Sequence, residues 1–281
     1  MTGYMKKTMT SFLLFMAVPL LIIYLLIGIV FYFNQEKLFF KPIKLAKNYT
    51  FKFNQDFEEI KSATKDGTIL NSLLFKIKNS KGVIFYLHGN GNSLEKFGKL
   101  APIYTNLGYD IFMTDYRGYG KSEGALSDEH QLFEDNQFLY NELKKSYKEE
   151  DIIIIGYSLG SSLAAKLASE NTPKLLVLKA PFYNFKDVAN HTTRLTKLYP
   201  FNYLSKYHFK TNEFIKLCTM PLVIFHGTED EVVYYGSSIK LQKYFKPTDR
   251  LVSIKGEKHR TIIDNPLYIK ELERFLLNNE L

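Results

Sequence analysis

Residues 151–165, D-I-I-I-I-G-Y-S-L-G-S-S-L-A-A, constrain the fold more than any other stretch of this chain. Ile152 to Ile155 form an apolar, β-branched run of strand length. A strand without polar alternation is buried on both faces and belongs in the middle of a parallel sheet. After Gly160 the residues are small and apolar at helical spacing. Between strand and helix, G-Y-S-L-G sets a glycine two residues before and two residues after Ser158. Hydrogen side chains are what fit where strand and helix crowd together. The serine is then held in a strained turn at the carboxyl end of the sheet, on a helix N-terminus. That end is where ligands sit in open α/β sheets. The stretch reads as a nucleophile elbow. The alternative is an ordinary βα turn that happens to match G-x-S-x-G.

The remaining pattern supplies a sheet for that strand. Phe57 to Ile77 reads as a hairpin around Lys65-Asp66-Gly67-Thr68, since Asp-Gly is a strong tight-turn signal. From Lys81 onward strands alternate with helices. Strands are expected at Gly82–Leu87, Tyr109–Asp115, Lys174–Leu178, Pro221–Phe225 and Arg250–Ile254. Helices are expected at Leu94–Thr105, Ser127–Lys148, after Ser158 to Glu170, at Gly236–Phe245 and at Asn265–Leu277. Strict βα alternation predicts an α/β fold, a mostly parallel sheet with helices on both faces.

Ser11 to Phe33 is a run of 23 residues without a charge. At 1.5 Å per residue it extends about 34 Å, enough for a bilayer core of about 30 Å. A cleaved signal peptide would carry a shorter apolar region and a small-x-small site. This run ends instead in Phe31-Tyr32-Phe33-Asn34-Gln35-Glu36, so an uncleaved transmembrane anchor is expected. Lys6 and Lys7 precede it and Lys37, Lys41, Lys44 and Lys47 follow it, which leaves the side of the membrane open. The expected organisation is an N-terminal tail (1–10), a transmembrane helix (11–33), a juxtamembrane linker (34–56) and a catalytic domain (57–281).

Lys+Arg number 37 against 29 Asp+Glu, and only five of the cations are arginines. There is no dense basic cluster interleaved with aromatics, so nucleic acid is not an expected partner. Acidic lipid headgroups are the more natural counterpart. Cys218 is the only cysteine, so no internal disulfide forms. No clustered ligand spacing suggests a metal, and neither metal nor organic cofactor is expected. Oligomeric state is not legible.

A serine needs a base to take its proton. Of six histidines, His88, His226 and His259 lie at carboxyl ends of expected strands, the face that presents Ser158. His88 and His226 are each followed directly by glycine, a context for packing or loop shaping. His259 sits on the loop Lys255–Arg260, which can bring a side chain over Ser158, and is the expected base. His130, His191 and His208 read as surface or cap residues. The base needs a carboxylate to fix its tautomer. Asp230, in the loop after His226-Gly227-Thr228, is the choice and Glu229 the fallback; the alternative is a solvated acidic loop. Oxyanion donors are expected from the backbone N–H of Leu159 and from His88-Gly89-Asn90-Gly91-Asn92, with Asn90 assigned and Gly89 as alternative.

Together these residues resemble the α/β-hydrolase superfamily. H-G-N-G-N at 88–92, D-Y-R-G-Y-G-K-S-E-G at 115–124, G-Y-S-L-G at 156–160, H-G-T-E-D-E-V-V at 226–233 and G-x-x-H at 256–259 stand in that superfamily's order. The pattern is most similar to its membrane-anchored serine hydrolases and to serine aminopeptidase-like domains. The resemblance implies a triad of Ser158, Asp230 and His259, structural roles for Arg117 and Ser122, and a short cap over Ser158 formed by about 181–218. The aromatic, basic cap reads either as an acyl-binding lid or as packing that closes the domain. Ser161 stands where many relatives have glycine, and Arg260 where relatives often have a small polar or acidic residue. The expected activity is hydrolysis of a carboxylic ester or thioester, on a small-molecule or lipid acyl substrate. The alternatives are aminopeptidase-like amide cleavage, with Glu229 or Asp187 holding the amine, and a hydrolase-fold protein that binds without turnover.

Overall fold

The computed structural model describes residues 2–192 and 199–277. The part of the expected cap at 193–198 and the last residues, 278–281, lie outside the described residues. Eight strands form one sheet: β1 (Glu58–Ala63), β2 (Ile69–Phe75), β3 (Val83–Leu87), β4 (Asp110–Thr114), β5 (Ile152–Tyr157), β6 (Leu175–Lys179), β7 (Leu222–Gly227) and β8 (Arg250–Ile254). Their order is β1-β2-β4-β3-β5-β6-β7-β8. β1 and β2 are the expected hairpin at one edge, and β2 meets β4 antiparallel. From β4 to β8 every pairing is parallel.

β5 lies between β3 and β6, with Ile155 opposite Tyr86 on one side and Val177 on the other. Its isoleucines alternate between two cores. Ile152 and Ile154 pack on one face of the sheet, Ile153 and Ile155 on the other, all fully buried. Each contributes roughly 2–3 kcal/mol of apolar burial, which is why the unbroken run seeks the centre of the sheet.

The helices are α1 (Thr2–Phe39), α2 (Leu94–Phe97), α3 (Ala101–Thr105), α4 (Glu129–Leu143), α5 (Leu159–Ser169), α6 (Phe185–Thr192), α7 (Phe201–Leu204), α8 (Thr211–Phe214), α9 (Gly236–Leu241) and α10 (Pro266–Leu277). Three differ from the sequence expectation. The single helix expected at Leu94–Thr105 is split into α2 and α3 by a 3₁₀ turn at Gly98–Leu100. Pro102 has no N–H to give to the Gly98 carbonyl, and the Phe53 ring fills the space beside Gly98. α4 begins after Asp128, whose side chain accepts from the Gln131 N–H, and stops at Leu143 rather than Lys148. α9 gives way to a 3₁₀ turn after Leu241.

α1 also runs beyond the expected boundary at Phe33, into the first residues of the expected linker. Its segment Phe15–Phe39, whose most apolar 18 residues have a mean hydropathy of 2.6, is long and apolar enough to cross a membrane. Gln35 explains the extension. Its amide is fully buried, donating to the Leu204 carbonyl (2.7 Å) and accepting from the Lys206 N–H (2.9 Å). The last turn of α1 is thus held by the cap region, and Pro42 follows soon after.

In the cap region, Phe182, Tyr207 and Phe209 are buried against one another and against Phe39 and Phe40 from the end of α1, and the buried Phe201 packs on Phe185. These rings pack the cap region onto the end of α1.

Arg117 ties the sheet edge to a helix. Its guanidinium gives Nε and Nη2 to the two oxygens of Asp135 on α4 (2.6 and 2.7 Å) and Nη1 to Asp66 in the hairpin turn (2.6 Å). The fork geometry matches two carboxylates at once, which lysine cannot do. Removing Arg117 leaves the Asp135 carboxylate buried without its counter-charge. Arg117→Ala is therefore expected to destabilise the protein by about 3 kcal/mol, read as a lower midpoint of chemical unfolding. A shift within a few tenths of a kcal/mol would show the pair to be incidental.

Candidate active site

Ser158 sits between β5 and α5 with φ 53° and ψ −114°. Such a left-handed φ is costly for a residue with a side chain and persists where the surroundings impose it. Here they do. A Cβ at Gly160 would overlap the Leu87 carbonyl oxygen, and one at Gly156 would overlap the Gly160 carbonyl. The Ser158 N–H donates to the Lys179 carbonyl (2.9 Å), which locks the turn to the end of β6. Ser161 has its own reason to differ from glycine. Its hydroxyl lies 3.0 Å from both the Gly156 and Lys179 carbonyl oxygens and fastens the first turn of α5 to both strand ends.

His259 and Asp230 come together from the loops after β8 and β7. His259 Nδ1 lies 2.7 Å from Asp230 Oδ2, and both side chains are buried. Oδ1 of Asp230 accepts from the N–H groups of Val232 (2.9 Å) and Val233 (2.7 Å). A carboxylate only accepts, so Nδ1 of His259 carries the proton and Nε2 of the neutral ring presents a lone pair. Burial alone would raise the Asp230 carboxyl. Hydrogen bonds from His226 and His259 and from the Val233 N–H outweigh it and hold the group well below the usual carboxylate range. Among the described residues no hydrogen bond joins Ser158 Oγ to His259; such bonds often tighten only when substrate is present.

Gly89 approaches the serine closely, since a Cβ there would lie 3.4 Å from Ser158 Cβ and 2.9 Å from the Tyr157 ring. No described residue accepts from the backbone N–H of Asn90 or Leu159. The Asn90 side chain is engaged elsewhere. Nδ2 donates to the Phe39 carbonyl (2.6 Å), while Oδ1 accepts from the Lys41 N–H (3.0 Å) and the Tyr119 hydroxyl (3.0 Å).

The other histidines separate clearly. His88 donates Nδ1–H to the Gly89 carbonyl (2.8 Å) and packs on Tyr116 at 4.1 Å. Burial pushes its pKa down to about 4, so it is neutral and shapes the loop. His130 is exposed, and His191 stacks on Tyr234 at the surface of α6. The backbone N–H of His208 is held by Glu129 (2.7 Å). Glu229, the fallback acid, is exposed. Asp187 is already held by Lys240 (2.5 Å) and the Tyr234 hydroxyl (2.6 Å).

Three neighbours escape sequence reasoning. His226 Nε2 lies 3.2 Å from Asp230 Oδ2 and 2.8 Å from the Val233 carbonyl, so it borders the acid rather than merely packing. Tyr157 packs its ring 5.2 Å from that of His259, and its hydroxyl donates to the His259 carbonyl (3.0 Å). Lys179 is fully buried beneath the turn, with Nζ donating to the hydroxyls of Tyr86 (3.0 Å) and Tyr104 (3.2 Å). A lysine at the end of an apolar strand was the one available signal for it.

The family described as "Serine aminopeptidase, S33" matches residues 78–213. The Pyrococcus furiosus esterase Pf2001 superposes with a TM-score of 0.69 over 86% of this chain and 98% of its own, at 20% identity. The chain has the α/β-hydrolase fold. Another α/β hydrolase by fold, Est1E from Butyrivibrio proteoclasticus with ferulic acid bound, superposes with a TM-score of 0.63 over 78% of this chain and 98% of its own, at 19% identity. Among curated proteins, lysophosphatidylserine lipase ABHD12 of Macaca fascicularis is 26% identical over 238 residues, covering 73% of this chain. The match spans 58% of that lipase's own length. Alpha/beta hydrolase domain-containing protein 17C of Xenopus tropicalis is 28% identical over 220 residues, covering 76% of this chain and 67% of its own.

Proposed function

We propose that this α/β hydrolase is a membrane-anchored serine hydrolase that cleaves a carboxylic ester or thioester through an acyl-enzyme. The observation that carries the reading is the 2.7 Å contact between His259 Nδ1 and Asp230 Oδ2, at the carboxyl ends of β8 and β7, in the sheet whose β5 ends in Ser158 at φ 53°. Ser158 Oγ attacks the acyl carbon as His259 Nε2 takes its proton. The tetrahedral oxyanion accepts from the N–H groups of Leu159 and Asn90. Collapse expels the alcohol or thiol, which receives the proton from His259. Water, deprotonated by the same nitrogen, then releases the acid. α1 holds this domain (57–281, with its cap at about 181–218) at the bilayer. The lipase name of a relative supports a lipid ester as substrate.

Aminopeptidase activity uses the same chemistry but needs a carboxylate for the substrate amine. Asp187 is committed to Lys240 and Tyr234, and Glu229 is exposed to water, so ester cleavage is favoured. The test is a panel of p-nitrophenyl esters of increasing chain length beside aminoacyl-nitroanilides, with fluorophosphonate labelling as the readout for the serine. Ester turnover with labelling is expected. Anilide turnover exceeding ester turnover would reverse the order of the two readings, and neither turnover nor labelling would leave a binding protein.

A further inference from the structure

α1 does not stand apart from the catalytic domain. The Tyr24 ring stacks on Tyr199 with centroids 4.5 Å apart and planes 5° from parallel, and the Tyr199 hydroxyl donates to the Tyr24 carbonyl (3.4 Å). One turn further on, the space beside Gly28 is filled by Leu204 of α7 and by Tyr199, each 3.8 Å from where a Cβ would stand. Still further on the contacts become polar. Gln35 binds the 204–206 backbone, and Glu36 accepts from Lys206 (2.9 Å) and the Tyr207 hydroxyl (3.1 Å). The segment 199–207 thus runs alongside α1 from its apolar stretch to its first charged residues.

That arrangement sets a depth. If α1 crosses a bilayer, its hydrocarbon span needs about 20 residues. Lys7 limits the span on one side and Glu36 on the other. A span starting as early as Thr8 reaches residue 27, and one ending as late as Gln35 starts at residue 16. Tyr24 lies inside every such register. A group stacked on Tyr24 is then inside the hydrocarbon too. Tyr199 is chemically suited to it, because its hydroxyl is satisfied by a carbonyl rather than by water. On α7 itself, Tyr203 is 88% exposed. On the water side, Lys37 lies in the last turn of α1 and Lys41 and Lys44 follow it, while Lys186 lines a groove beside Asn202 of α7 together with the ion pair Lys210–Glu213. Cations at that level face the phosphates of a leaflet.

We infer that α7 and the preceding Tyr199 are a second membrane-inserted element, seated beside α1 in the same leaflet, so that the domain draws its acyl substrate from the bilayer. The substrate class is then a membrane-resident lipid ester. The water-side end of α1 is also hydrogen-bonded to the Asn90 loop, which carries one of the proposed oxyanion donors. This rests on the proposed anchor and serine hydrolase, and the experiment separates their failure from its own.

Environment-sensitive fluorophores are placed at Tyr203→Cys and, separately, at Leu21→Cys in the full chain reconstituted in phosphatidylcholine–phosphatidylglycerol vesicles. Cys218 is buried, and burial pushes its thiol up to about 12, so it stays unlabelled. Both probes are expected to be quenched by lipid-borne nitroxides and shielded from aqueous iodide. A probe at 203 quenched by iodide while the probe at 21 is shielded overturns the inference and leaves the anchor standing. Both quenched by iodide overturns the anchor and the inference together. Tyr203→Asp gives a second measure. The ratio of vesicle-embedded ester turnover to soluble ester turnover is expected to fall at least about tenfold, given the penalty for a carboxylate in hydrocarbon. An unchanged ratio overturns the inference, and fluorophosphonate labelling of the variant reports that it is folded.

Discussion

Ser158→Ala is expected to lower ester hydrolysis by about 10⁴- to 10⁶-fold and to abolish fluorophosphonate labelling, with the protein still folded. The size follows from the way the parts act together. Removing the nucleophile leaves His259, still oriented by Asp230, with no serine proton to take, so the three contributions vanish at once rather than one by one. What remains is the oxyanion donors and substrate binding, which still speed attack by water. Alanine also relieves none of the turn's strain, because it meets the same left-handed φ at 158 and keeps the N–H bond to the Lys179 carbonyl. Thermal melts of variant and parent should therefore agree closely. Persistent labelling of a folded Ser158→Ala protein would move the nucleophile elsewhere.

Asp230→Asn is expected to cost about 10⁴-fold in kcat at neutral pH with little change in KM. The surroundings of Asp230 decide which way the new amide faces. Oδ1 accepts two backbone N–H groups, from Val232 and Val233. An asparagine keeps its carbonyl oxygen there and turns its NH₂ towards His259. His259 Nδ1 must then accept, which puts the ring proton on Nε2, the nitrogen needed to receive the serine proton. The variant has the right shape and the wrong tautomer. A loss smaller than tenfold would show that Asp230 does not orient the base. The same substitution has a thermodynamic signature. The folded-state pKa of Asp230 lies below its unfolded value. Its charge therefore contributes stability that is fully present above the unfolded value of about 4 and is lost as pH falls through the folded value. Asp230→Asn should flatten the acid limb of the stability profile.

Much of this protein was legible in its residue order because the signals are local. The run Ile152–Ile155 has no polar alternation, so burial on both faces follows without knowing its neighbours. Gly156 and Gly160 are demanded by backbone oxygens within the strand–turn–helix unit and at the end of β3. Asp66-Gly67 turns its own hairpin. The expected chain order of Ser158, Asp230 and His259 needed no distances, only that each follow a strand whose carboxyl end faces the same way.

Tertiary structure decided the rest. Pairs far apart in sequence write no periodic signal, because each member is ordinary by itself. Gln35 is a polar residue after an apolar run until Leu204 and Lys206 bury its amide and carry α1 on to Phe39. Asn90 is one residue of a glycine-rich loop until its side chain meets Phe39 and Lys41. His226 looked like a packing residue after its strand, and only the curl of the next loop brings Asp230 to its Nε2. Lys179 ends an apolar strand, and only the convergence of tyrosines from β3, α3 and α10 makes a buried amine tolerable there. Local backbone geometry and burial of apolar side chains set the sheet and the position of Ser158. The desolvation of polar groups, which must find partners wherever the fold brings them, set what surrounds it.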